Sequence, residues 1–519
     1  MNNLTVFSKF LIILLVMGGL FGGYKVAQNQ GWLDKMAPEG KQSQDIEPGS
    51  FGAGNQTQST ELGRPLRVCV VTWGGYAGGQ YFNRGFKPNA SSEFKKKYNL
   101  DVEFILMDDY NASREAWKAD KVDLLWTTAD SFVTETEALE KFHPKVVFQA
   151  DWSRGGDAIV VTGNINTVAD LRGKTVAVAE GTPSHTLLLW LLSAGGLKYS
   201  DIKVVKAPSA IDAATYFKQN KVEAAVVWSP DDEDCVKSVA GAKILKNSKG
   251  TSIIADVFYA KQKFLDKYPE DVKHLIAGWL EGSAEINSSD TAKREAAKIL
   301  AAGLNQPEDF CYNAINNVRL ATYGDNANFF NLNGNYKGVK GEELYTKMQV
   351  LYGKLNLASD NSPTWRQVVD TSYLRGVSLN GNEHAAEGAV TFSPISQSEG
   401  VAKEAFSTKQ ITITFASGSA EVTAMAKRII DLEFADTARG FAKSRVRIEG
   451  NTDSTGSIDL NQRLSQTRAQ AVANYLSTQY GFDRNRFIVV GNGPSKPVAD
   501  NGSSEGREQN RRTDFELLN

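Results

Sequence analysis

The chain has 519 residues, 41% of them hydrophobic, 10% aromatic and 23% charged, a composition that excludes general disorder and a length that requires several compact units rather than one core. Its 58 Lys and Arg against 60 Asp and Glu leave a net charge of -2, so the basic excess of a nucleic-acid-binding surface is absent. Cys69, Cys235 and Cys311 are odd in number and far apart, which excludes a disulfide framework or a metal-ligand spacing; Cys69, inside the apolar LRVCVV, reads as a small buried hydrophobe.

Phe10 to Tyr24 is an apolar run without charge, preceded by Lys9. Alone it has the length of a signal-peptide core, and with Val26 and Ala27 it approaches the ~20 residues a bilayer requires. Lys25 spoils the small-x-small cleavage site ending at Ala27, and no cysteine is present there to take a lipid. Residues 1–30 are therefore expected to be an uncleaved inner-membrane anchor, a cleaved signal being the alternative; either way the bulk lies in the periplasm. The run contains no carboxylate to carry a proton, which argues against a proton-driven stator subunit. Residues 31–63 and 381–410, rich in small and polar residues, read as linkers.

Between the linkers, LRVCVVTW, VEFILMDD and VDLLWTTAD read as strands, with SSEFKKKY and NASREAWKAD as helices. The rhythm restarts after Arg154: AIVVTG, KTVAVAEG, IKVVKAP and EAAVVWSPD are strands, and TLLLWLLSAGG and AIDAATYFKQN helices, so two successive α/β units are expected. Beyond Lys249 the pattern is mostly helical, apart from SIIADVFYA. Ligands of open α/β sheets gather beyond the carboxyl ends of strands. Those ends carry Trp73 and Tyr76, Asp130, then Thr182, Ser184 and His185, and finally Trp228, Asp231 and Asp232. Aromatics, hydroxyls and acids converging from two lobes suit a cleft that closes on a small polar molecule; each tryptophan could equally plug a strand end.

The run DLRGKTVAVAEGTPSHTLLLWLLSAGGL, followed by DIKVVKAPSAIDAATYFKQNKVEAAVVWSP, resembles the second lobe of the periplasmic solute-binding proteins of the nitrate, sulfonate and thiamine-pyrimidine group, which serve ABC transporters. The resemblance implies a bilobal domain over residues 64–380, its second lobe at about 155–250, with ligand at the helix start formed by Thr182, Ser184 and His185. A helix N-terminus suits an anion or carbonyl, whereas Asp130, Asp231 and Asp232 suit an amine, and the sequence leaves the sign open. Pyrimidine-forming enzymes of this fold use a histidine with a cysteine-rich iron motif. No such motif and no Ser/His/Asp arrangement is recognisable here, so His185 is expected to hydrogen-bond within the cleft, and no enzyme activity, metal or cofactor is expected.

After the second linker, ITITF and VRIEG read as strands, Ser419 to Lys443 as a helix-like run, Leu460 to Tyr480 as a helix and RFIVVGNG as a last clear strand, giving a compact α/β sandwich over residues 411–519. Leu460, Leu464, Ala471 and Tyr475 share one helix face and are expected to seat it on the sheet, with Asn461, Ser465 and Arg468 on the neighbouring face. Asp453 ends the preceding strand, and the turn STGS, with Gly456 for backbone freedom and Ser457 as N-cap, folds the helix back so that Asp453 and Arg468 face one hollow. They can pair with each other, at ~0–1 kcal/mol if exposed. Alternatively they receive the ammonium and carboxylate of one zwitterion, such as the free end of diaminopimelate in Gram-negative peptidoglycan.

GNTDSTGSIDLNQRLSQTRAQAVANYL, with GNGPSKPVADN and GREQNRRTDFEL, is similar to the OmpA-like peptidoglycan-binding domain. Thr452 and Asp453, Asn461, Leu464 and Ser465, Arg468 and Ala469, and Asn510 and Arg511 match its motif, and the resemblance implies that Asp453 and Arg468 bind diaminopimelate. Asn451 stands where that family usually has His. The expected architecture is thus α/β: a bilobal periplasmic-binding-protein-like domain and an OmpA-like sandwich, preceded by a transmembrane helix or signal. The expected function is a membrane-tethered protein that grips peptidoglycan and binds a small solute for transport or sensing, beside a permease or envelope complex. The alternative is an interaction subunit of a wall-anchored complex whose solute-binding-like domain has no ligand.

Overall fold

A computed structural model describes residues 62–416 and 418–518, so the expected anchor and all but the last two residues of the first linker lie outside the described residues. Among the described residues no helix is long and apolar enough to cross a membrane. The first lobe opens with β1 (Leu66–Val70), β2 (Val102–Leu106) and β3 (Leu124–Thr128), and β4 (Pro144–Ser153) leads across to β5 (Asp157–Val161), β6 (Thr175–Val178), β7 (Lys203–Lys206), β8 (Ala224–Trp228) and β9 (Lys243–Asn247). The chain then returns through β10 (Ala255–Lys261) and β11 (Val318–Leu320). The first sheet has the order β11-β4-β10-β3-β1-β2 and the second β7-β6-β8-β5-β9. β1 lies parallel to both its neighbours, while β10 runs antiparallel to β3 and β4. LLWTT and DAIVV are buried at every position, as strands covered on both faces must be.

Between these strands form α1 (Tyr110–Lys118), α2 (Pro183–Ala194), α3 (Ala210–Lys218), α4 (Asp231–Ser238), α5 (Pro269–Ser288) and α6 (Asp290–Leu304), all but α4 as expected. Side chains of Asp109, Ser209 and Ser289 accept the first free N–H groups of α1, α3 and α6. Trp279 of α5 centres the first core, 6.3 Å from the Tyr76 ring, 5.1 Å from Phe148 and 4.8 Å from Phe258. Tyr76, expected in the cleft, is therefore a core residue: the turn at Gly74–Tyr76 aims its ring inward, where burial in this aromatic cluster stabilises it more than solvent would. A further helix, α7 (Gly341–Gly353), lies against both lobes through Tyr345 and Tyr352, whose hydroxyls reach Thr136 and Thr186.

The C-terminal sheet contains β12 (Ala405–Ile411), β13 (Arg445–Asn451), β14 (Phe487–Gly493) and β15 (Thr513–Leu518) in the order β12-β15-β13-β14. Three expectations are corrected here. The first strand is AFSTKQI, not ITITF, so the second linker gives way to a short helix at Gln397–Ala402 and then to sheet before residue 411. TDFELL, not RFIVVGNG, is the last strand, between β12 and β13. The helix α8 (Ile458–Tyr480) is seated by Asn461, Ser465, Ala469, Val472, Ala473 and Leu476, whereas Leu460 is exposed and Leu464, Ala471 and Tyr475 are half-buried. Glycine in the sheet is the reason: a Cβ at Gly450 would stand 2.3 Å from the Ser465 carbonyl oxygen, and one at Gly491 2.5 Å from the Gln466 nitrogen. The helix backbone thus comes so close that only small side chains fit beneath it.

The C-terminal domain also rests on the crossings between the lobes. The Ser252 N–H donates to the Gly440 carbonyl at 2.7 Å, and the Lys443 N–H to the Gly250 carbonyl at 2.9 Å. Gly440 lies so tightly against Trp190 and Ile253 that a Cβ would come within 2.2 Å and 2.8 Å of them. Cys69, Cys235 and Cys311 are buried and unpaired, and burial pushes their thiols up to about 12, 11 and 11. Gly450→Val and Gly491→Val are each expected to destabilise the C-terminal domain by about 1–3 kcal/mol through overpacking, read as an earlier thermal unfolding transition; an unchanged transition would show that α8 is not held at backbone contact.

Candidate functional site

Two groups of expected site residues come together, one at each end of the molecule's chemistry. In the C-terminal domain Ser457 caps α8 by accepting the Leu460 N–H, and Gly456 adopts φ 94°, a left-handed conformation that glycine reaches without strain. Both expectations for the STGS turn hold. The Asp453 carboxylate accepts the Thr455 N–H at 2.8 Å through one oxygen and pairs with Arg511 at 2.7 Å through the other. Burial pushes this carboxyl up, but Arg511 and the Thr455 N–H outweigh it and hold it below the ordinary range.

Arg468 does not pair with Asp453. Its guanidinium donates to the carbonyls of Ser419 at 2.9 Å and Ala416 at 3.2 Å and lies over the Phe415 ring at 4.9 Å. Burial lowers its pKa first, the like charge of Arg511 lowers it further, and Asp453 opposes both. Asp453 is thus within the field of Arg468 without pairing with it, and among the described residues no carboxylate pairs with Arg468.

The remaining expected residues frame this site. Asn461 donates to the Thr455 carbonyl at 2.9 Å, and the Ser465 hydroxyl accepts the Gly493 N–H at 2.9 Å. The Thr452 hydroxyl donates to the Asp453 carbonyl at 2.9 Å. Asn451, at the position where the family usually has His, is buried: it donates to Asp514 at 3.1 Å and accepts from Asn492 at 3.0 Å, in a polar network at the end of β13. Asn501 belongs to the same frame, accepting the Ser454 N–H at 3.1 Å and an Asn510 N–H at 2.9 Å. Asn501 closes the stretch GNGPSKPVADN that carries the resemblance, although the sequence assigns it no role.

Between the lobes, the crossing is tied by hydroxyls. Ser153 donates to Asp157 at 2.8 Å and lies 2.7 Å from the Ser248 hydroxyl, which accepts the Gly155 N–H at 2.8 Å. Four buried carboxyls gather here: Asp130, Asp151, Asp157 and Asp256. Trp73 donates its indole N–H to Asp151 at 3.0 Å and Asp130 accepts the Ala255 N–H at 3.2 Å, while the Trp228 indole leans on Asp157. Burial pushes Asp130 and Asp157 up to about 7 against these bonds. Burial and then the neighbouring Asp151 push Asp256 well above the ordinary carboxylate range. One oxygen each of Asp130, Asp151 and Asp157, and the Ser184 hydroxyl, are buried without a hydrogen-bond partner. Asp151, Asp157 and Asp256 are missing from the expected set because that set draws on the carboxyl ends of strands, whereas Asp157 and Asp256 stand at the amino ends of β5 and β10 and Asp151 inside β4.

At the start of α2, the Thr182 hydroxyl turns back to the Ala179 carbonyl at 2.7 Å instead of capping, and Ser184 and His185 are fully buried. His185 accepts the Gly181 N–H at 3.2 Å, and burial pushes it down to about 4, which keeps the imidazole neutral. The Tyr352 ring lies 5.3 Å from His185, and its hydroxyl donates to the Thr182 carbonyl at 3.2 Å. Asp231 is corrected: it faces Lys218 at 3.7 Å on the outer helical layer, because one step around the first turn of α4 exchanges outside for inside, and Asp232 is the acid whose charge reaches Asp157.

Residues 414–511 match the OmpA family and residues 92–289 the NMT1/THI5 like family. Over 77 residues, 15% of this chain and 35% of the relative, the sequence is 49% identical to an Escherichia coli protein named as a probable lipoprotein, YiaD. Over 83 residues it is 43% identical to outer membrane porin F of Pseudomonas aeruginosa, covering 16% of this chain and 24% of that one. Over 153 residues it is 29% identical to an Escherichia coli protein named for binding aliphatic sulfonates, covering 29% and 46%. The chain thus spans less than half the length of each of these relatives. The crystal structure of the periplasmic aliphatic sulphonate binding protein SsuA from Escherichia coli superposes with a TM-score of 0.45 at 20% identity, covering 59% of this chain and 97% of that chain. The chain therefore carries an OmpA-family domain at residues 414–511 and an NMT1/THI5-like solute-binding domain at residues 92–289.

Proposed function

We propose that the protein holds the cell envelope at two levels: its OmpA-family domain grips peptidoglycan through the zwitterionic end of diaminopimelate, and its bilobal domain receives a small solute for transport or sensing. The observation that carries this reading is the arrangement of Arg468, half-buried and bonded only to carbonyls, beside an Asp453 kept ionised by Arg511. An ammonium takes the Asp453 oxygens and a carboxylate takes the guanidinium, each as a charge-assisted hydrogen bond. Residues 1–30 serve as the inner-membrane anchor of a Gram-negative cell. No chemical step is assigned to the protein.

The charge between the lobes supports a solute that brings N–H donors. Asp130 and Asp157 each hold a buried oxygen without a hydrogen-bond partner, and an amine or amidine supplies N–H donors to them. A second reading, in which the bilobal domain is an interaction module without a ligand, draws on Tyr352, whose ring and hydroxyl already occupy the start of α2.

Three outcomes are expected. Asp453→Ala or Arg468→Ala abolishes co-sedimentation with purified peptidoglycan, since each leaves one ligand charge unpaired; wild-type retention by both variants removes the assignment. In a thermal-shift panel of amines, pyrimidines, sulfonates, nitrate and phosphate, an amine-bearing compound raises the melting temperature most; no shift with any compound, together with a membrane partner that co-purifies regardless of solute, favours the interaction module.

The third concerns pH. Asp130 is raised to about 7 by burial, so between the ordinary carboxylate pKa and about 7 the folded chain keeps a proton that the unfolded chain has released. Stability is therefore lost as pH rises through that window. Asp130→Asn is expected to stabilise the apo protein by on the order of 1–4 kcal/mol at pH 8 and to have little effect at pH 4. A gain of equal size at both pH values would show that the carboxyl is not kept neutral between the lobes.

A further inference from the structure

A cavity of about 360 Å³ opens where the lobe crossing, the second linker and the OmpA-family domain meet. That volume is within the range of small-molecule sites, which bury a flat apolar ligand against side chains and orient it with a few polar groups. Its apolar walls are Trp152, Phe329, Tyr336, Phe392, Tyr480 and Phe482. Five cationic side chains, Arg154, Lys337, Arg439, Lys443 and Arg486, border it against three acids, Asp325, Glu387 and Asp483, an excess of two positive charges.

Two of these cations are incompletely satisfied. Arg486 is 2% exposed and donates to the carbonyls of Ala438 at 2.7 Å, Phe441 at 2.8 Å and Ser444 at 2.9 Å, yet no carboxylate pairs with it among the described residues. Burial alone pushes it down to about 9, the mark of a charge without a counter-ion. Arg154 bonds Glu387 at 2.9 Å and Ser252 at 3.2 Å, and its Nε–H is buried without a partner. Glu387 is the single carboxylate shared by Arg154 and Lys443, the latter at 3.1 Å. The acids do less to balance the cavity than their number suggests, because Asp483 is spent on the Phe392 and Asn485 N–H groups and Asp325 on Arg319, Thr322 and the Glu387 N–H.

We propose that this junction cavity is a second binding site, separate from the inter-lobe floor, for a small anion with a flat aromatic body. The rings clasp the body, and the anionic group lies toward Arg154 and the field of Arg486. Its sign is opposite to that of the inter-lobe floor, so the two sites select different molecules. The site does not depend on the solute reading above, since none of its walls lies among Asp130, Asp151 or Asp256.

The test uses the full chain and two fluorescent probes of one shape, 8-anilinonaphthalene-1-sulfonate and its uncharged parent N-phenyl-1-naphthylamine. The sulfonate is expected to saturate a single site at least tenfold more tightly than the parent. Ala389→Trp, at an exposed position on the cavity wall, is expected to weaken the sulfonate at least tenfold without altering the melting temperature or peptidoglycan co-sedimentation. Arg154→Gln is expected to weaken the sulfonate and spare the parent. Equal affinity for the two probes overturns the proposal. Sulfonate binding that survives Ala389→Trp also overturns it, and its loss on Tyr352→Trp instead would place the probe between the lobes.

Discussion

Both crossings between the lobes are tied to the OmpA-family domain, one by main chain and the other by side chains. The Gly440 carbonyl and the Lys443 N–H hold the second crossing at Ser252 and Gly250, while Arg154 on the first crossing is bound through Glu387 to Lys443. Opening of a two-lobed domain is rotation about its crossings. Here rotation breaks these bonds, at a net of about 1 kcal/mol each, or carries the C-terminal domain along with Trp190 and the second lobe. On the other side Arg439 donates to the Lys337 carbonyl at 3.2 Å and Lys347 stands 3.6 Å from Asp436, so the segment that carries Tyr352 is tied to the same domain.

Charge is distributed between the sites with opposite logic. The C-terminal domain keeps an acid and a guanidinium within each other's field without an ion pair between them: Arg511 pairs with Asp453, and Arg468 bonds to carbonyls. The inter-lobe floor concentrates acids that burial drives toward neutrality. Both arrangements are costly without a guest, which is why they point to binding rather than to structure alone.

Much of this was legible in the residues. Apolar runs mark seven of the strands of the two lobes and β13 and β14 of the C-terminal sheet, and the turn chemistry of STGS is legible down to Gly456 and Ser457. Failures share a cause. AFSTKQI is mostly polar and TDFELL is interrupted by Asp514 and Glu516, so neither shows as an apolar run, and composition alone assigns the first to the linker. The seating face of α8 was misjudged because hydrophobicity was used where glycine in the facing strands, Gly450 and Gly491, decides which residues fit. Tyr76 looked like a cleft residue because its position at a strand end is visible in sequence and the direction of its ring is not. The carboxyls of Asp151 and Asp256 meet only because β4 and β10 pair in register, a long-range fact that no local pattern contains.

The cysteines have a further consequence. Cys69 lies within β1, Cys235 on α4 and Cys311 in the helix Glu308–Asn316, and each thiol is kept protonated by its burial. Disulfide exchange needs a reachable thiolate, so an oxidising compartment has nothing to attack once the chain has folded. The vulnerable interval is the time before burial, when three thiols on one chain can join in any of three pairs, and it ends when each thiol is enclosed, without any bridge.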